Sequence, residues 1–590
     1  MRSNERGGAL AFFHGAKQAS LRSPAHCATF HLVSECTLID VPWADDSRPA
    51  RPYRDVNAKH SLELENIKEA SMQQEAQSLL SKAVHSLPSR FKGPGGAVAV
   101  VKNGEVIVRH AWGYADLARR IEMTSETVMP ICSISKQFTC AILLDLLDDL
   151  SQLTPALNAY LPMLQGRIPT IVDLCNNQSG LRDYPVLSVL CGADPEGDFR
   201  PEDARKLISC ARSTQFEPGT EYSYSNSNFH ILADLLEQYA QRSLGDLLYE
   251  RVFQRANMRT ARYEPESSEY AADCIGYEGN TEVGFFPAIN RSHWMGDAGI
   301  SGSLEDLIAW EQFIDRTRDD PDSLYRRISV PQTFSDGSAA CYGFGLSHMT
   351  VAGVKATGHS GGIRGWRLRR LHATSERLSV VVMFNHQQDA GEAADLLMAA
   401  ALGVHESAEK VLPNWGQWDG NYLNDATGLS LSISASETSL LSARFLDKPE
   451  PLSIDGGRAA RAGLMSLSRD AGDLNLDRRS ENLRLNMRPI SREHTMHIEG
   501  SFHCEEIDAD CVVVSSGGAM YGIFKGFLGM SAAMPMYPIG ENVWVLPCQR
   551  GIDVGPGDLT LVFHRDKTGA AATLTIGCWL ARSLKYTKEN

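Results

Sequence analysis

Apolar residues recur at helical spacing near residue 80 and then change to strand-like runs. Two β-rich runs, Ala97–Lys102 and Glu105–His110, are joined by Asn103-Gly104, a pair that favours the type I′ turn of a two-residue hairpin. The pattern therefore predicts a helix followed by a β-hairpin. The apolar positions that predict the helix are Leu79, Leu80, Ala83, Val84 and Leu87.

Helical and strand-like segments are mixed from about residue 88 to 404. Because a hairpin opens this region and strands close it, we expect one sheet that brings its two ends together. We predict an α+β domain over 72–404, an antiparallel sheet with helices. The predicted helices are Cys140–Leu153 (helical from Gln137), Phe229–Tyr239 and Ala393–Leu402, and the late strands lie at Tyr342–Leu346, Arg367–His372 and Leu378–Phe384.

After about residue 415 the pattern becomes one of short alternating strands separated by Gly, Asp, Ser and Asn. This is typical of all-β structure. Two openings are alike, Trp418–Tyr422 and Ile498–Phe502, each apolar, acidic, Gly, polar, aromatic. We predict two small, related antiparallel β-barrel domains over 415–490 and 496–590.

Residues 1–71 show no sustained periodicity and are rich in Arg, Ser and Pro. They are expected to be a poorly ordered arm. Met72 stands just before the first predicted helix, so the arm is also consistent with a misassigned start site.

Charge and cysteine usage exclude several classes of function. A net charge of −15 over 590 residues opposes binding to nucleic acid or to an anionic membrane. No apolar run approaches the ~20 residues of a bilayer span, and the amino end does not have the pattern of a signal peptide. The 13 cysteines include no C-x-x-C pair, which argues against a disulfide framework or structural zinc. A cytoplasmic protein is expected.

The first candidate for chemistry is Ser133-Ile134-Ser135-Lys136, at the start of a strongly helical stretch. Lys136 would lie one turn after Ser133 on the same face. Backbone N–H groups and the helix dipole there favour an oxyanion and a lowered lysine pKa, and a neutral lysine can activate a serine. Taken alone, the pattern also fits an N-cap serine beside a surface lysine.

The second candidate follows the Pro218-Gly219 turn, where Tyr224 and Asn226 precede an apolar helix. Tyr224 could pass a proton if a cation lowers its pKa from ~10. Asn226 could bind a substrate amide. A helix-entry loop with polar caps is the alternative.

The third candidate is Gly358-His359-Ser360-Gly361-Gly362, where glycines allow a ligand to approach the backbone closely. It also matches G-x-S-x-G, which makes Ser360 a rival nucleophile. That alternative needs a helix directly afterwards, whereas Gly365–Leu371 has a strand-like pattern. A plain glycine-rich turn is the third possibility.

The order S-x-x-K, Y-x-N, H-x-G resembles the family of class C β-lactamases, DD-carboxypeptidases and related esterases, over about residues 88–404. The resemblance implies a β-lactamase-like fold. Further matching segments are Leu174–Leu181, Ala298–Ser303, Tyr342–Gly345 and the strand that ends at Asn385. Within this family, Ile131–Cys140 and the two following barrels are most similar to the bacterial D-aminopeptidases.

This resemblance implies hydrolysis of peptides, amides and esters whose free amino-terminal residue is D-Ala, Gly or D-Ser. It implies an acyl-enzyme on Ser133, a proton passed to Lys136 and Tyr224, and an oxyanion held by the N–H groups of Ser133 and Gly362. The resemblance implies a homodimer, and it implies no metal or cofactor. His359 and Gly361 stand where β-lactamases often have K-T-G, and a histidine is only partly charged near neutral pH.

The last candidate lies between two strand-like runs, Val543–Leu546 and Leu559–Phe563. The segment between them exceeds the ~2–5 residues of an ordinary hairpin loop. The resemblance implies that such a loop enters the catalytic cleft. Asp553, at its centre, is the candidate partner for the substrate's amino group, and Asp558 is less suited. A solvated surface loop is the alternative.

Other functions use the same machinery, namely β-lactamase or DD-carboxypeptidase activity and the hydrolysis of small esters. A non-catalytic binding protein on a degenerate fold is a different class. The presence together of Ser133, Lys136, Tyr224 and His359 argues against that class.

Overall fold

The structure, a computed structural model, describes residues 74–589 except 273, 406–417, 436–440, 446–448, 456–458, 471–472, 492, 494–496 and 548–556. The predicted arm, 1–71, lies outside the described residues. The first described helix covers 74–90, as its apolar spacing predicts.

The predicted hairpin and the late strands meet in one eight-stranded antiparallel sheet. Asn103 and Gly104 have φ of 54° and 78°, as a type I′ turn requires. The strand that opens the domain pairs with the strand that closes it, Ala97 opposite Met383. In spatial order the strands are Ile121–Glu122, Glu105–Asp116, Gly95–Lys102, Leu378–Phe384, Trp366–Ala373, Val354–Ile363, Leu346–Val351 and Tyr342–Gly343.

Helices cover both faces of this sheet, because successive strand residues point to opposite sides. Val380 and Val382 pack toward the helix at 74–90 and toward Ala390–Ala401. Val381 faces the larger helical layer. That layer contains Ser135–Leu146, Thr154–Tyr160, Ile171–Cys175, Tyr184–Leu190, Pro201–Ser209, Asn226–Ala240, Leu244–Leu248, Gln254–Ala256, Leu304–Arg316 and Leu324–Ile328.

One helix ends earlier than predicted. The helix after Ser133 spans Ser135–Leu146, whereas the apolar pattern predicted helix as far as Leu153. Leu147 adopts an extended conformation, and the Asp149 side chain then accepts from the Ser151 N–H to start a separate short turn, Leu150–Leu153. Because the Asp149 side chain bonds to the backbone of this new turn, the apolar stretch does not continue as one helix.

Short elements complete the first domain. Met129–Pro130, Ile300–Gly302 and Arg262–Tyr263 form a three-stranded sheet, and Tyr277–Asn280 pairs with Gly284–Pro287. The short helical turns are Cys132–Ile134, Leu150–Leu153, Tyr249–Phe253, Ser267–Ala272 and Thr374–Glu376.

Two antiparallel nine-stranded sheets follow, and both form small barrels. The two openings identified in the sequence are equivalent: Gly420 and Gly500 begin the first strand of each sheet, with φ of 152° and 150°. Residues with a side chain rarely adopt such φ angles, which accounts for glycine at both positions. The first sheet contains Gly420–Asn424, Leu429–Ala435, Leu441–Arg444, Pro449–Pro451, Ser453–Asp455, Ala459–Ala462, Met465–Asp470, Asp473–Arg478 and Leu483–Pro489.

The second barrel closes by hydrogen bonding, since Ala509–Ser516 pairs with Ala519–Gly526 while its other edge pairs with the opening strand. Its strands are Gly500–Cys504, Ala509–Ser516, Ala519–Gly526, Gly529–Met530, Met534–Gly540, Val543–Leu546, Leu559–Arg565, Ala571–Cys578 and Ala581–Lys588. No helix in the described ranges is long and apolar enough to cross a bilayer.

Candidate active site

Ser133 and Lys136 lie where the first domain's long helix begins. Ser133 belongs to a short 3₁₀ turn, Cys132–Ile134, that leads directly into Ser135–Leu146. One turn later, Lys136 Nζ lies 3.0 Å from Ser133 Oγ. The serine is half-buried, whereas the lysine has no exposed surface. The predicted placement of both residues on one helix face is confirmed.

The surroundings of Lys136 favour a neutral amine. Its Nζ donates to Asn226 Oδ1 at 2.8 Å and to the Asp297 carbonyl at 2.7 Å. Burial lowers its pKa to about 8, although the nearby charge of Asp297 and that of Asp183 act in the opposite direction. Burial, rather than the backbone N–H groups and the dipole of the helix, is therefore the main cause of the lowered pKa of Lys136.

This geometry determines where the lone pair of the neutral amine points. A neutral lysine has two N–H donors and one acceptor. The two oxygens from Asn226 and Asp297 can only accept, so they take both donors. The lone pair is then left for the hydroxyl of Ser133, at 3.0 Å. Lys136 is therefore placed to remove the proton of Ser133.

Tyr224 also contacts the nucleophile, and it does so as a phenol. Its hydroxyl donates to Ser133 Oγ at 2.8 Å. The sequence makes proton transfer by Tyr224 conditional on a cation that lowers its pKa, and Lys136 Nζ does lie 5.0 Å from the ring centroid. Burial nevertheless raises the pKa of Tyr224 well above its usual value, so that condition is not met. Tyr224 is placed to donate a proton rather than to act as a phenolate.

His359 is neutral, not partly charged as expected. Burial and, to a smaller extent, the charge of Lys136 lower its pKa to about 3. Its Nδ1 lies 2.5 Å from the Ser360 carbonyl, which can only accept, so Nδ1 carries the hydrogen. Its Nε2 then accepts from the Tyr342 hydroxyl at 2.9 Å. Both ring nitrogens are therefore occupied by protein groups.

The glycines after His359 bring their strand against the nucleophile's turn. A Cβ on Gly361 would lie 2.5 Å from the Ile131 carbonyl oxygen and 3.2 Å from Cys132 Cβ. Only glycine fits this approach. Gly362 is the next residue of the strand, opposite Arg367. At Gly361 the close approach is made by the protein's own chain, and the approach of a ligand to these glycines stays a prediction.

Ser360 does not have the setting of a nucleophile elbow. It lies inside the strand Val354–Ile363, and a second strand, Trp366–Ala373, follows instead of a helix. Its Oγ accepts from Arg369 Nη1 at 2.7 Å. Because strand residues alternate, it points away from the side occupied by His359. The rival nucleophile is thereby excluded.

Asn226 holds the Lys136 amine, a role that its position in the sequence does not reveal. Its Oδ1 accepts from Lys136, while its Nδ2 lies 3.3 Å from Asp183 Oδ2. The loop that carries it is fixed by Asn177, whose Oδ1 accepts from the Ser225 N–H at 3.1 Å. Contact between Asn226 and substrate stays a prediction.

Two buried acids beside Lys136 were missed. Asp183 Oδ1 accepts from the Asn226 N–H at 2.6 Å, and burial raises the pKa of Asp183 to about 7. Asp297 Oδ2 accepts from the Tyr184 hydroxyl at 2.7 Å. The sequence did contain a signal, because each acid lies beside a segment of the family pattern. Asp183 follows Leu174–Leu181 after one intervening residue, and Asp297 directly precedes Ala298–Ser303.

Cys132, directly before the nucleophile, has a left-handed backbone with φ of 51°. Such conformations are uncommon outside glycine and are often found at active sites. This conformation turns the chain between the strand residue Pro130 and the nucleophile's turn.

Asp553 lies outside the described residues, and its contact with the cleft stays a prediction. The flanking strands are present as predicted, with Leu546 opposite Leu559. The alternative acid, Asp558, accepts from Arg444 of the first barrel at 3.1 Å.

Comparison with known proteins agrees with this architecture. A sequence model of the β-lactamase family matches residues 80–405, and a model described as D-aminopeptidase, domain B, matches 413–587. Together with the Ser133–Lys136 arrangement, the fold defines a serine hydrolase of the β-lactamase class. A D-aminopeptidase from Brucella melitensis biotype 1 is 52% identical over 511 residues, 86% of this chain and 98% of the relative. The chain belongs to the D-aminopeptidase family.

Two further similarities complete the comparison. A D-aminopeptidase from Brucella anthropi is 50% identical over 512 residues, 87% of this chain and 98% of the relative. A solved structure, of an octameric penicillin-binding protein homologue from Pyrococcus abyssi, is 19% identical with a TM-score of 0.48, and the match covers 69% of this chain and 98% of that one.

Proposed function

We propose that this protein is a D-stereospecific aminopeptidase that removes amino-terminal D-residues from peptides, amides and esters through an acyl-enzyme on Ser133. The observation that carries the chemistry is the Lys136 amine, whose two donors are occupied by carbonyl-type oxygens while its third direction faces Ser133 Oγ at 3.0 Å. The substrate class is supported by relatives named D-aminopeptidase, matched over 98% of their length.

In the proposed acylation step, Lys136 takes the hydroxyl proton of Ser133 as Oγ attacks the carbonyl carbon of the amino-terminal residue. The C=O bond becomes a C–O⁻ single bond, held by the backbone N–H groups of Ser133 and Gly362. One such donor is worth about 3 kcal/mol. Tyr224, as a phenol, gives its proton to the leaving nitrogen as the C–N bond breaks. The proton held by Lys136 then restores the phenol.

In the proposed deacylation step, water attacks the ester carbonyl and passes a proton to the Lys136–Tyr224 pair. The bond to Ser133 Oγ breaks, and a proton returns to Oγ. The free D-residue leaves as a carboxylic acid. Every proton transfer uses groups of this chain, so the proposal requires no metal or cofactor.

The neutral His359 fits a substrate that is recognised by its amino end. A family member that binds a carboxylate would gain from a cation at this position, whereas burial keeps His359 uncharged. Gly361 and Gly362 would line the substrate's backbone, with Asn226 at its amide. Asp553 is proposed as the partner of the ammonium group. These features favour an aminopeptidase over a DD-carboxypeptidase.

The test is hydrolysis of D- and L-alanine p-nitroanilide by the full chain, measured side by side. We expect the D-enantiomer to be the better substrate by at least about 100-fold in kcat/KM. Equal rates would contradict D-specificity but leave the serine hydrolase intact. Activity on p-nitrophenyl acetate without activity on either anilide would identify a small-ester hydrolase instead.

Two further features belong to this proposal. We expect a homodimer, which light scattering during gel filtration would test, with a single protomer mass as the contrary result. We expect a cytoplasmic location, which fractionation of the source cells would test.

A further inference from the structure

The second barrel reaches the active site through the tight turn between strands Ala571–Cys578 and Ala581–Lys588. Cys578 pairs with Ala581, so Trp579 and Leu580 alone form the turn. Turns are ordinarily exposed, yet Trp579 is 8% and Leu580 2% exposed. This turn is buried because it packs on the first domain.

The turn's two carbonyl groups are both hydrogen-bonded by the first domain. The Leu580 carbonyl accepts from the Asp183 N–H at 3.0 Å and from Gln215 Nε2 at 3.4 Å. The Trp579 carbonyl accepts from Ser223 Oγ at 3.3 Å. Gln215 Oε1 in turn accepts from the Arg582 N–H at 2.8 Å. The Gln215 side chain therefore clamps the turn with both ends of its amide.

A buried charge fixes the orientation of the same hairpin. Arg582 is 1% exposed, and its Nη1 donates to Glu221 Oε2 at 2.8 Å. Its guanidinium carbon lies 4.6 Å from the Trp579 ring centroid. Arg182 donates to the Arg582 carbonyl at 3.1 Å. Removing one partner of a buried charge is costly, so this interface favours a single docked geometry.

From this turn, three consecutive hydrogen bonds lead to the catalytic lysine. Leu580 holds the Asp183 N–H, and Asp183 Oδ1 accepts from the Asn226 N–H at 2.6 Å. Asn226 Oδ1 accepts from Lys136 Nζ at 2.8 Å. The turn also holds Ser223, the residue directly before Tyr224. The barrel therefore contacts the residues next to both groups that handle the proton of Ser133.

We infer that the Trp579-Leu580 turn is a positioning element of the active site: the second barrel fixes Asp183 and Asn226, and through them the direction of the Lys136 amine. The inference rests on the proposed function, in which Lys136 is the base. It implies that the first domain supplies all the reacting groups but not their alignment. Because alignment of the base matters in acylation more than in binding, loosening the turn should lower kcat and leave KM little changed.

The experiment replaces Gln215 by Ala in the full chain, which removes the clamp without touching a reacting group. The matched control is Arg212→Ala, which breaks an exposed ion pair to Glu505 of the same barrel, 2.8 Å long. We expect Gln215→Ala to lower kcat on D-alanine p-nitroanilide about 10-fold, with KM changed less than about 3-fold. The control should keep wild-type values. If Gln215→Ala does not fold, Ser223→Ala removes the contact to the Trp579 carbonyl and takes its place.

The rate of Ser133 labelling by a fluorophosphonate separates this inference from the proposed function. Labelling needs the base but not a D-residue, so it should fall by the same factor in Gln215→Ala even if the substrate class is wrong. A merely structural contact would lower the thermal midpoint or the labelled fraction and leave the rate per labelled site unchanged. That outcome, or equal kcat in Gln215→Ala and Arg212→Ala, would overturn the inference.

Discussion

At the scale of single residues, the site consists of a half-buried serine and several buried supports. The Ser133 hydroxyl has partners in two directions: the lone pair of the Lys136 amine at 3.0 Å, and the Tyr224 hydroxyl, which donates to Oγ at 2.8 Å. Burial favours the neutral form of both partners, because it lowers the pKa of the Lys136 amine and raises that of the Tyr224 phenol. Both are neutral in the same pH range, one as a base and the other as an acid.

The contrast between two serines is a direct test at this scale. Ser133→Ala should lower kcat on D-alanine p-nitroanilide by about 10⁴-fold or more and abolish fluorophosphonate labelling, because the nucleophile is lost. Lys136→Ala should be nearly as severe. Ser360→Ala removes only an acceptor of Arg369 and should keep kcat within about 3-fold of wild type. An inactive Ser360→Ala with an active Ser133→Ala would reverse the assignment.

The pH dependence of labelling follows from Lys136. The amine accepts a proton only when neutral, and its pKa is about 8, so the labelling rate should rise with pH and level off above that value. At pH 6 the rate should be about 100-fold below the plateau. Labelling is preferred to peptide hydrolysis because the substrate's own amino group titrates in the same range.

Besides burial, the charged groups near Lys136 influence the pH at which the labelling rate rises. Asp297, Asp183, Cys132 and Cys140 all raise the pKa of the amine when charged. The neutral His359, whose pKa is about 3, should contribute no limb, so His359→Gln should keep the profile's midpoint. A midpoint near pH 6.5 that this substitution removes would show that histidine is the base.

At the scale of elements, the strand Val354–Ile363 and the nucleophile's turn form one unit. Gly361 allows the strand to lie against Ile131 and Cys132. The left-handed Cys132 directs the following serine into the helix. Neither element alone positions Ser133.

Gly361→Ala tests this contact. The added Cβ would lie 2.5 Å from the Ile131 carbonyl oxygen, so strand or turn must move. A displacement of about 1 Å at a nucleophile can lower kcat about 100-fold, which is the expected result in anilide hydrolysis. Ser360→Ala, on the neighbouring residue, is the matched control. Full activity in Gly361→Ala would show that the strand and the turn are not coupled.

Hydrophobic periodicity and turn residues predicted most helices and strands well, because these elements depend on local sequence. Asn103-Gly104 identified the hairpin, and the paired glycines Gly420 and Gly500 identified equivalent strand starts. The helix end at Leu146 could not be predicted, because apolar residues continue to Leu153 and the break depends on capping by Asp149. The family pattern selected Ser133 and Lys136, which the structure brings within 3.0 Å of each other, and their catalytic roles stay a prediction.

Burial and distant contacts could not be predicted from one sequence. Asp297 lies 161 positions from Lys136 in the chain, and its carbonyl contacts the amine only in the folded protein. The charge states of His359 and Tyr224 depend on how completely each is enclosed, which residue type does not reveal. The buried acids beside Lys136 were missed for this reason.

At the scale of the whole molecule, the protein is a hydrolase domain in which segments next to the site contact both barrels. The second barrel contributes the Trp579-Leu580 turn. The first barrel holds the segment before Tyr224, since the Tyr222 N–H donates to the Glu481 carbonyl at 3.0 Å. A β-lactamase-like domain without the two barrels would lack these contacts.

The connection 547–558 belongs to the same scale. If Asp553 binds the substrate's ammonium group, Asp553→Ala should lower kcat/KM on D-alanine p-nitroanilide by about 10- to 1,000-fold. A shortened loop should also admit β-lactams or blocked peptides. Asp558→Ala, which removes an acid bonded to Arg444, is the control and should keep kcat/KM. Unchanged activity and specificity after shortening would place amine recognition in the first domain.

The most direct test of the central claim is rapid-quench mass spectrometry of the full chain mixed with a D-alanine ester. Deacylation limits turnover of activated esters, so the acyl-enzyme should accumulate. The account predicts a D-alanyl adduct on the peptide that carries Ser133, and far less adduct from the L-ester at the same concentration. An adduct on the peptide that carries Ser360, or equal adducts from both enantiomers, would contradict it.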